Sequence, residues 1–249
     1  VGFRLPELQA AGYTKKELKR AGFSAQEFKA MATPVGELQE AGYNSSELRN
    51  GGYKAQELKA AEFSVADLRA GGYTAAQLSV AGLAAAELKN GGYSAGEMVT
   101  GGYATGDLKD AGFSVKVLRS VGISVKEMAS VGFTVSEMRL GGCSAEELTA
   151  CHMDVADLFN GGFGGKQLRA IGFTALQLKN AGVPPVQLRK AARFTAVELH
   201  NIGCTLLELR SGGYPLKQLK DEVGFNAEDF RKAGYTADEL EDVGFSSKQ

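Results

Sequence analysis

One ten-residue pattern recurs along the whole chain, and this period constrains the fold more than any other feature. The segment Ala11–Arg20 shows the pattern as Ala-Gly-Tyr-Thr-Lys-Lys-Glu-Leu-Lys-Arg. Counting its first alanine as position one, the chain holds 24 full repeats and a partial one over residues 243–249. A unit this short cannot bury a core by itself, so neighbouring units must stack on one another.

Each repeat carries the start and stop signals of one short helix. Thr14, at position four, suits an N-cap, and Glu17 three residues later completes a capping box. Gly22 falls at position two of the next repeat, where a helix ends in a left-handed residue without Cβ. Glycine holds this position in 21 of 25 copies, with the exceptions Ala32, Glu62, His152 and Arg193. The pattern predicts about 24 two-turn helices, one per repeat.

Large apolar residues at position eight and aromatic rings at position three predict the core. Position eight is always large and apolar, with 19 Leu and also Met98, Met128, Met138, Phe28 and Phe230. Phe or Tyr holds position three in 18 of 25 copies, including all eight tyrosines. Such a ring precedes its own helix as a hydrophobic staple and follows the previous helix as part of its ending. We therefore expect each ring to pack on two successive position-eight residues.

Helices of two turns are unstable alone in water, so their stability must come from stacking. We predict an all-α solenoid that forms a single domain over residues 1–249, and a fragment of a longer protein, since both ends are in phase with the repeat. A left-handed glycine followed by two extended residues favours a corner near a right angle and hence four helices per coil. Three of the residues that replace the turn glycine support four helices per coil, because Ala32, His152 and Arg193 lie in repeats 4, 16 and 20, which are all multiples of four. Two helices per coil is the alternative.

Composition excludes some classes of protein. The formal net charge of −1 argues against bulk binding of polyanions, and no apolar run of about eighteen residues indicates a membrane span. Cys143, Cys151 and Cys204 are too few and too irregular for a disulfide framework, so we expect them in the core. No signal peptide is recognisable, which together with the cysteine usage favours an intracellular location. Single extra residues near Lys190–Arg193 and Asp221–Glu222 are expected to form loops.

The unit Ala-Gly-Phe-Ser-x-x-Glu-Leu-Lys resembles the decapeptide repeats of large, mostly uncharacterised proteins of algae and other protists. The resemblance covers essentially the whole chain. It implies an α-helical repeat protein, and it transfers no catalytic, cofactor-binding or metal-binding residue to this sequence.

The recurrent charged positions have structural explanations. Asp or Glu at position seven suits capping boxes and the helix dipole better than a ladder of metal ligands. Lys or Arg at position nine, an outward position, would form a basic stripe for nucleic acid but also suits the last helical turn. Candidate zinc ligands lack the close spacing of a metal site; they are Cys143, Cys151, His152, His200 and Cys204. With no nucleophile beside an evident base, we expect no enzyme, metal or cofactor.

The sequence therefore predicts a non-enzymatic scaffold or protein–protein interaction module within a larger assembly. The alternative is a reader of single-stranded nucleic acid, in which each repeat meets one nucleotide through positions six and ten. Departures from the repeat gather over residues 141–165: His152 replaces the turn glycine, Met153 replaces the ring, and Phe159 puts a ring at position nine. Exposed rings and adaptable methionines are typical of interfaces, so we predict that these three residues bind a protein partner. Alternatively, Phe159 only covers an adjacent coil.

Overall fold

The computed structural model describes residues 4–245. It contains 24 short helices, one per repeat, and no strand within that range, which confirms the predicted all-α repeat architecture. Most helices have six residues, or about 9 Å of helix. They are α1 (Leu5–Ala10), α2 (Lys15–Arg20), α3 (Ala25–Ala30), α4 (Val35–Glu40), α5 (Ser45–Asn50), α6 (Ala55–Ala60), α7 (Val65–Ala70), α8 (Ala75–Val80), α9 (Ala85–Asn90), α10 (Ala95–Thr100), α11 (Thr105–Asp110), α12 (Val115–Ser120), α13 (Val125–Ser130), α14 (Val135–Leu140), α15 (Ala145–Ala150), α16 (Val155–Asn160), α17 (Gly165–Ala170), α18 (Ala175–Asn180), α19 (Pro185–Lys190), α20 (Ala196–Asn201), α21 (Leu206–Ser211), α22 (Leu216–Gln218, continued by a π-helical turn over Leu219–Val223), α23 (Ala227–Lys232) and α24 (Ala237–Glu241).

The chain divides into two compact units, residues 1–123 with α1 to α12 and residues 124–249 with α13 to α24. Within each unit, many of the main contacts join helices that are two repeats apart. In the first unit, each helix contacts the next one in two series, which are α2, α4, α6, α8, α10 and α3, α5, α7, α9, α11. In the second unit, the same holds for the series α14, α16, α18, α20 and for the pair α19 and α21. Each unit therefore has two stacks of alternate helices. The single-domain organisation over residues 1–249 stays a prediction.

This stacking corresponds to two helices per coil, and the expectation of four helices per coil is wrong. The expectation considered one corner by itself, whereas contacts between repeats decide which helices become neighbours. Tyr43 donates its hydroxyl to the carbonyl oxygen of Phe23 at 2.6 Å, and Tyr73 donates to that of Tyr53 at 2.7 Å, twenty residues earlier in both cases. Such bonds form only when repeats two apart lie side by side.

The helix ends have the geometry that the repeat predicts. The amide of Gly22 donates to the Lys19 carbonyl at 3.0 Å and that of Phe23 to the Leu18 carbonyl at 3.1 Å, which is a Schellman ending. The residues that replace the turn glycine keep its left-handed backbone: φ is 54° at Ala32, 60° at Glu62, 65° at His152 and 58° at Arg193. The corner is therefore set by the repeat as a whole and survives the loss of its glycine.

Helix starts also follow the prediction. The Thr14 hydroxyl accepts from the Glu17 amide at 3.3 Å, while the Glu17 carboxylate accepts from the Thr14 amide at 2.8 Å. Where the N-cap is Ala84, which has no acceptor, the Glu87 carboxylate still accepts from its amide at 2.7 Å. The acid at position seven thus caps the helix even when its polar partner is missing.

Position-eight side chains form the core of both units. From Leu18 to Phe230, each of them has at most 1% of its surface exposed. The predicted packing of two rings on one such residue is clear at Phe230, whose ring centroid lies 6.1 Å from that of Phe225 and 5.3 Å from that of Tyr235. Two of the cysteines, Cys143 and Cys204, are buried as expected, whereas Cys151 is half-buried.

The first extra residue lengthens the corner between α19 and α20, as expected, whereas the second does not form the loop that we expected. At the first, the Phe194 amide donates to the Leu188 carbonyl at 3.0 Å, across one residue more than at a regular corner. At the second, α22 widens into its π-helical turn. A wider turn holds one additional residue and lets the next helix keep its register. Stacking continues accordingly, since the Tyr214 hydroxyl donates to the Phe194 carbonyl twenty residues earlier.

Candidate interaction surface

Lysine and arginine side chains at position nine lie across a neighbouring corner, although we expected this position to face outward. The Lys19 ammonium donates to the Gly42 carbonyl at 2.5 Å and to the Glu47 carboxylate at 2.7 Å, and it lies 4.6 Å from the Tyr43 ring centroid. One cation thus meets a helix C-terminus, a carboxylate and a ring face. The same cation–ring contact occurs in Lys29–Tyr53, Arg69–Tyr93, Lys89–Phe113, Arg169–Phe194, Arg189–Tyr214, Arg210–Tyr235 and Lys220–Phe245.

The acid of this cluster responds to its surroundings. Partial burial disfavours the charged form of Glu47, but hydrogen bonds from the Lys19 ammonium and the Asn44 amide outweigh it, so the pKa of Glu47 is lowered. Both members of the ion pair remain partly exposed, and such pairs contribute about 1 kcal/mol or less. Their importance here lies in orienting one repeat on another.

Tyrosine hydroxyls form a second series of bonds between repeats. Tyr93 donates to the Tyr73 carbonyl at 2.5 Å, Tyr73 to the Tyr53 carbonyl at 2.7 Å, and Tyr53 to the Thr33 carbonyl at 2.8 Å. Burial raises the pKa of Tyr73 to about 12. Sequence reasoning placed these rings in the core and missed the role of their hydroxyls. The signal was present, because every tyrosine of the chain lies at position three.

Open grooves run between stacked helices of the first unit. One, of about 800 Å³, is bounded by the end of α5, the start of α6, and α8. A second, of about 660 Å³, shares Tyr73 and Ala76 with it and extends to α10, and a third, of about 410 Å³, lies between α3 and α5. These volumes are in the range of ligand sites. Sequence reasoning missed the grooves, because they depend on which helices stack.

The three predicted partner-binding residues share one repeat. His152 is exposed in the corner before α16, Met153 beside it is half-buried, and Phe159 is half-buried near the other end of α16. Position-nine cations meet the ring 24 residues further on. The residue 24 positions beyond Phe159 is Val183, which is 3% exposed. Phe159 therefore stands where other repeats have a cation, and Val183 stands where they have the ring that the cation contacts. Phe159 is less exposed than we expected, and the role of the three residues in partner binding stays a prediction.

Other chemical sites are not evident in the described range. Among residues 4–245, no group of three or more His, Cys, Asp or Glu side chains could hold a metal ion. No helix in this range combines the length and the apolar character needed to cross a membrane. Burial raises the pKa of the Cys204 thiol, which disfavours the reactive thiolate form.

These features define a helical repeat protein whose ten-residue unit supplies one helix, one corner and the bonds to the unit two repeats away. A model of the decapeptide repeat region matches residues 1–55, 32–103, 72–140, 132–192 and 186–249. The matches together cover the chain, which therefore belongs to the decapeptide repeat family, as its resemblance implied. No curated protein and no solved structure matches it.

Proposed function

We propose that the chain is a structural scaffold and protein-interaction module without catalytic activity of its own, and a component of a larger assembly. The observation that most supports this function is the engagement of the recurrent polar side chains. Capping acids such as Glu17, cations such as Lys19 and hydroxyls such as that of Tyr73 all bond within the repeat or between repeats. Groups used in this way stiffen a framework, whereas catalytic groups converge on a substrate.

The same contacts weigh against nucleic acid as the partner. A reader of single strands needs cations that are free to meet phosphates and rings that are free to stack on bases. The Lys89 ammonium instead donates to the carbonyls of Ala111 and Gly112 at 2.8 and 2.7 Å. The Tyr73 ring is 3% exposed. A protein that lies along the grooves and the outward helix positions suits this surface better.

Capture of partners by the immobilised full chain tests this function. An extract of the native source is divided, one half is treated with nucleases, and retained proteins are identified by mass spectrometry. In parallel, single-stranded RNA and DNA are tested for a mobility shift at physiological ionic strength. We expect the same proteins from both halves and no shift. Proteins that disappear after nuclease treatment, together with a shift that weakens as salt rises, would support a nucleic-acid reader instead.

The Phe159→Lys variant tests the predicted residues of repeat 16 in the same assay. The substitution restores the cation that most repeats have at position nine, so the fold should be retained. If Phe159 contacts a partner together with His152 and Met153, the variant should lose a protein that the parent retains. Unchanged capture by the folded variant would exclude Phe159 from the interface and leave the scaffold function standing.

A further inference from the structure

Arg49 is a position-nine cation that lacks the carboxylate partner that Lys19, Lys29 and Arg69 have. Arg69 holds the equivalent position twenty residues further on. Its guanidinium pairs at 3.5 Å with the carboxylate of Glu97, which lies 28 residues beyond Arg69 in the sequence. The residue 28 positions beyond Arg49 is Gln77. The Arg49 side chain makes no hydrogen bond or ion pair with any residue between 4 and 245. It is therefore a cation held at a repeat-defined position with its usual acid removed.

Arg49 lines the groove of about 800 Å³ between α5, α6 and α8. One of its Nη atoms lies 3.0 Å from the point where a Cβ on Gly72 would stand, so it crosses the corner that precedes α8. Lys54, just before α6, also lines this groove, and no Asp or Glu is among the described residues that line it. The Glu57 carboxylate accepts from the Lys54 amide and from the Lys29 ammonium and lies near Lys54, so Arg49 is the lining cation that has no acid beside it.

Two equivalent grooves of the first unit are balanced in charge. The groove between α3 and α5 contains Lys19 together with Glu47, and the groove that reaches α10 contains Arg69 together with Glu97. In each case a glutamate of the chain itself lies beside the cation. In these two grooves the group beside the position-nine cation is therefore a carboxylate.

The remaining lining of the Arg49 groove can hold a peptide side chain. The Gln77 side-chain oxygen accepts from the Thr74 amide at 2.9 Å, and its amide nitrogen bonds to none of the described residues, so it can donate. Val80, on the same helix, is 77% exposed and offers an apolar contact. A hydrogen-bond donor, an arginine and an exposed aliphatic side chain thus line one groove.

We propose that this groove binds an acidic segment of a protein partner. A partner carboxylate takes the place that Glu47 and Glu97 hold in the equivalent grooves: it accepts from the Arg49 guanidinium and from the Gln77 amide nitrogen, while a neighbouring apolar side chain packs on Val80. The proposal rests on the proposed function as an interaction module and specifies the chemistry of the partner. A nucleic-acid strand fits less well, because the Tyr53 and Tyr73 rings are each 3% exposed and cannot stack on bases.

Two blocked peptides, Ala-Glu-Leu-Ala-Glu-Leu and Ala-Gln-Leu-Ala-Gln-Leu, test the proposal against the isotope-labelled full chain by NMR. The Glu peptide should shift the backbone amide of Gly72 and the side-chain amide of Gln77, with an affinity that falls as salt rises. The Gln peptide should bind at least about tenfold more weakly, since it lacks the charge-assisted bonds. Equal binding of the two peptides would overturn the proposal, as would a single-stranded oligonucleotide that displaces the Glu peptide.

Three variants locate the site. Gln77→Glu supplies the missing acid within the chain, so it should keep the fold and weaken the Glu peptide about tenfold or more; Arg49→Gln should weaken it similarly. Glu97→Gln is the matched control, because it frees Arg69 and should create a second site marked by shifts at Gly92. Binding that is indifferent to Gln77→Glu and Arg49→Gln overturns the proposal.

Failure of this site and failure of the proposed function give different results. If the full chain captures protein partners but Gln77→Glu changes neither their capture nor the peptide binding, the interaction module stands and the acidic-segment site is wrong. If the parent captures no protein partner in the extract experiment, the proposed function itself is wrong.

Discussion

The two units share one repeat but join their repeats with different side chains. In the first unit, tyrosine hydroxyls bond to carbonyls twenty residues earlier at Tyr43, Tyr53, Tyr73, Tyr93 and Tyr103. In the second unit this bond is found at Tyr214. Many position-three residues there have no hydroxyl; they are Phe133, Cys143, Met153, Phe163, Phe173, Val183, Phe194, Cys204, Phe225 and Phe245. Both units still bury every position-eight residue between Leu18 and Phe230.

The comparison separates what the fold requires from what it tolerates. Apolar residues at position eight and left-handed corners are kept in both units, and the second unit also absorbs both extra residues. At Phe225, which has no hydroxyl, the ring contacts His200, a position-nine residue, with centroids 5.0 Å apart. The core and corners therefore define the architecture, whereas the contacts at position three adjust the stability of each unit.

The largest effect should come from the core, and it should be equal in the two units. Leu78→Ala in the first unit and Leu178→Ala in the second each remove a side chain with no exposed surface. Each should lower the free energy of unfolding by about 2–5 kcal/mol, measured by urea denaturation. Leu140→Ala, at a side chain that is 74% exposed, is the control and should have little effect. Clearly different decreases in the free energy of unfolding for Leu78→Ala and Leu178→Ala would show that the cores of the two units are not equivalent.

Close approach between stacked helices should give the next largest effect. A Cβ on Gly101 would lie 2.8 Å from the backbone carbon of Ala75, and one on Gly161 would lie 2.2 Å from Cγ1 of Val135. Alanine at either site should cost about 1–3 kcal/mol through overpacking, and more at Gly101, because backbone cannot rotate away as a side chain can. The control is Gly36→Ala, where a Cβ meets nothing within 4 Å, and thermal unfolding should show no loss.

The hydroxyl bonds should contribute a smaller amount, and they can be exchanged between units. Tyr73→Phe removes the bond to the Tyr53 carbonyl and should cost about 1 kcal/mol. Phe163→Tyr makes the reverse change in the second unit, where the carbonyl twenty residues earlier is that of Cys143. If the units differ only at this position, the free energy of unfolding of Phe163→Tyr, measured by urea denaturation, should be higher than that of the parent by up to about 1 kcal/mol. A loss there would show that the two stacks differ in more than the hydroxyl.

Alkaline pH gives a second measurement of the same bond. The pKa of Tyr73 is raised from 10.0 to about 12 by burial, so the folded state holds the neutral form more strongly than the unfolded state does. Its contribution to stability is complete below pH 10 and is lost as the pH rises towards about 12. The Tyr73→Phe variant should therefore lose less stability over this range than the parent.

The smallest effect concerns the corners that lack glycine. Glu62 in the first unit and His152 in the second hold φ values of 60° and 65°. Replacement by glycine relieves the strain of the left-handed backbone but increases the conformational entropy of the unfolded chain. The free energy of unfolding of Glu62→Gly and of His152→Gly should therefore rise by less than about 1 kcal/mol. Gly172→Ala, at φ +99° with open space around it, is the reverse control and should be destabilising in thermal unfolding. A loss of stability in His152→Gly would show that this side chain supports its corner.

Signals within one repeat determined the elements of this protein. The bonds of Thr14 with Glu17, and of Phe23 with Leu18, join residues three to five apart, so the amino-acid types alone were enough to predict them. The buried position-eight residues followed from the period. The candidate site was less accessible: the sequence drew attention to His152, Met153 and Phe159, which stand out as departures from the pattern, and it passed over Arg49, which fits the pattern.

Only the tertiary structure decided that repeats two apart are neighbours. That spacing lets a position-nine cation meet a corner carbonyl, a ring and an acid that lie 23, 24 and 28 residues away, as Lys19 shows with Gly42, Tyr43 and Glu47. The absence of an acid for Arg49 has meaning only in this register. Bonds inside a repeat cannot specify the register, because they are the same whichever way successive helices turn. The arrangement is set by the contacts between repeats, and these exist only once the helices have stacked.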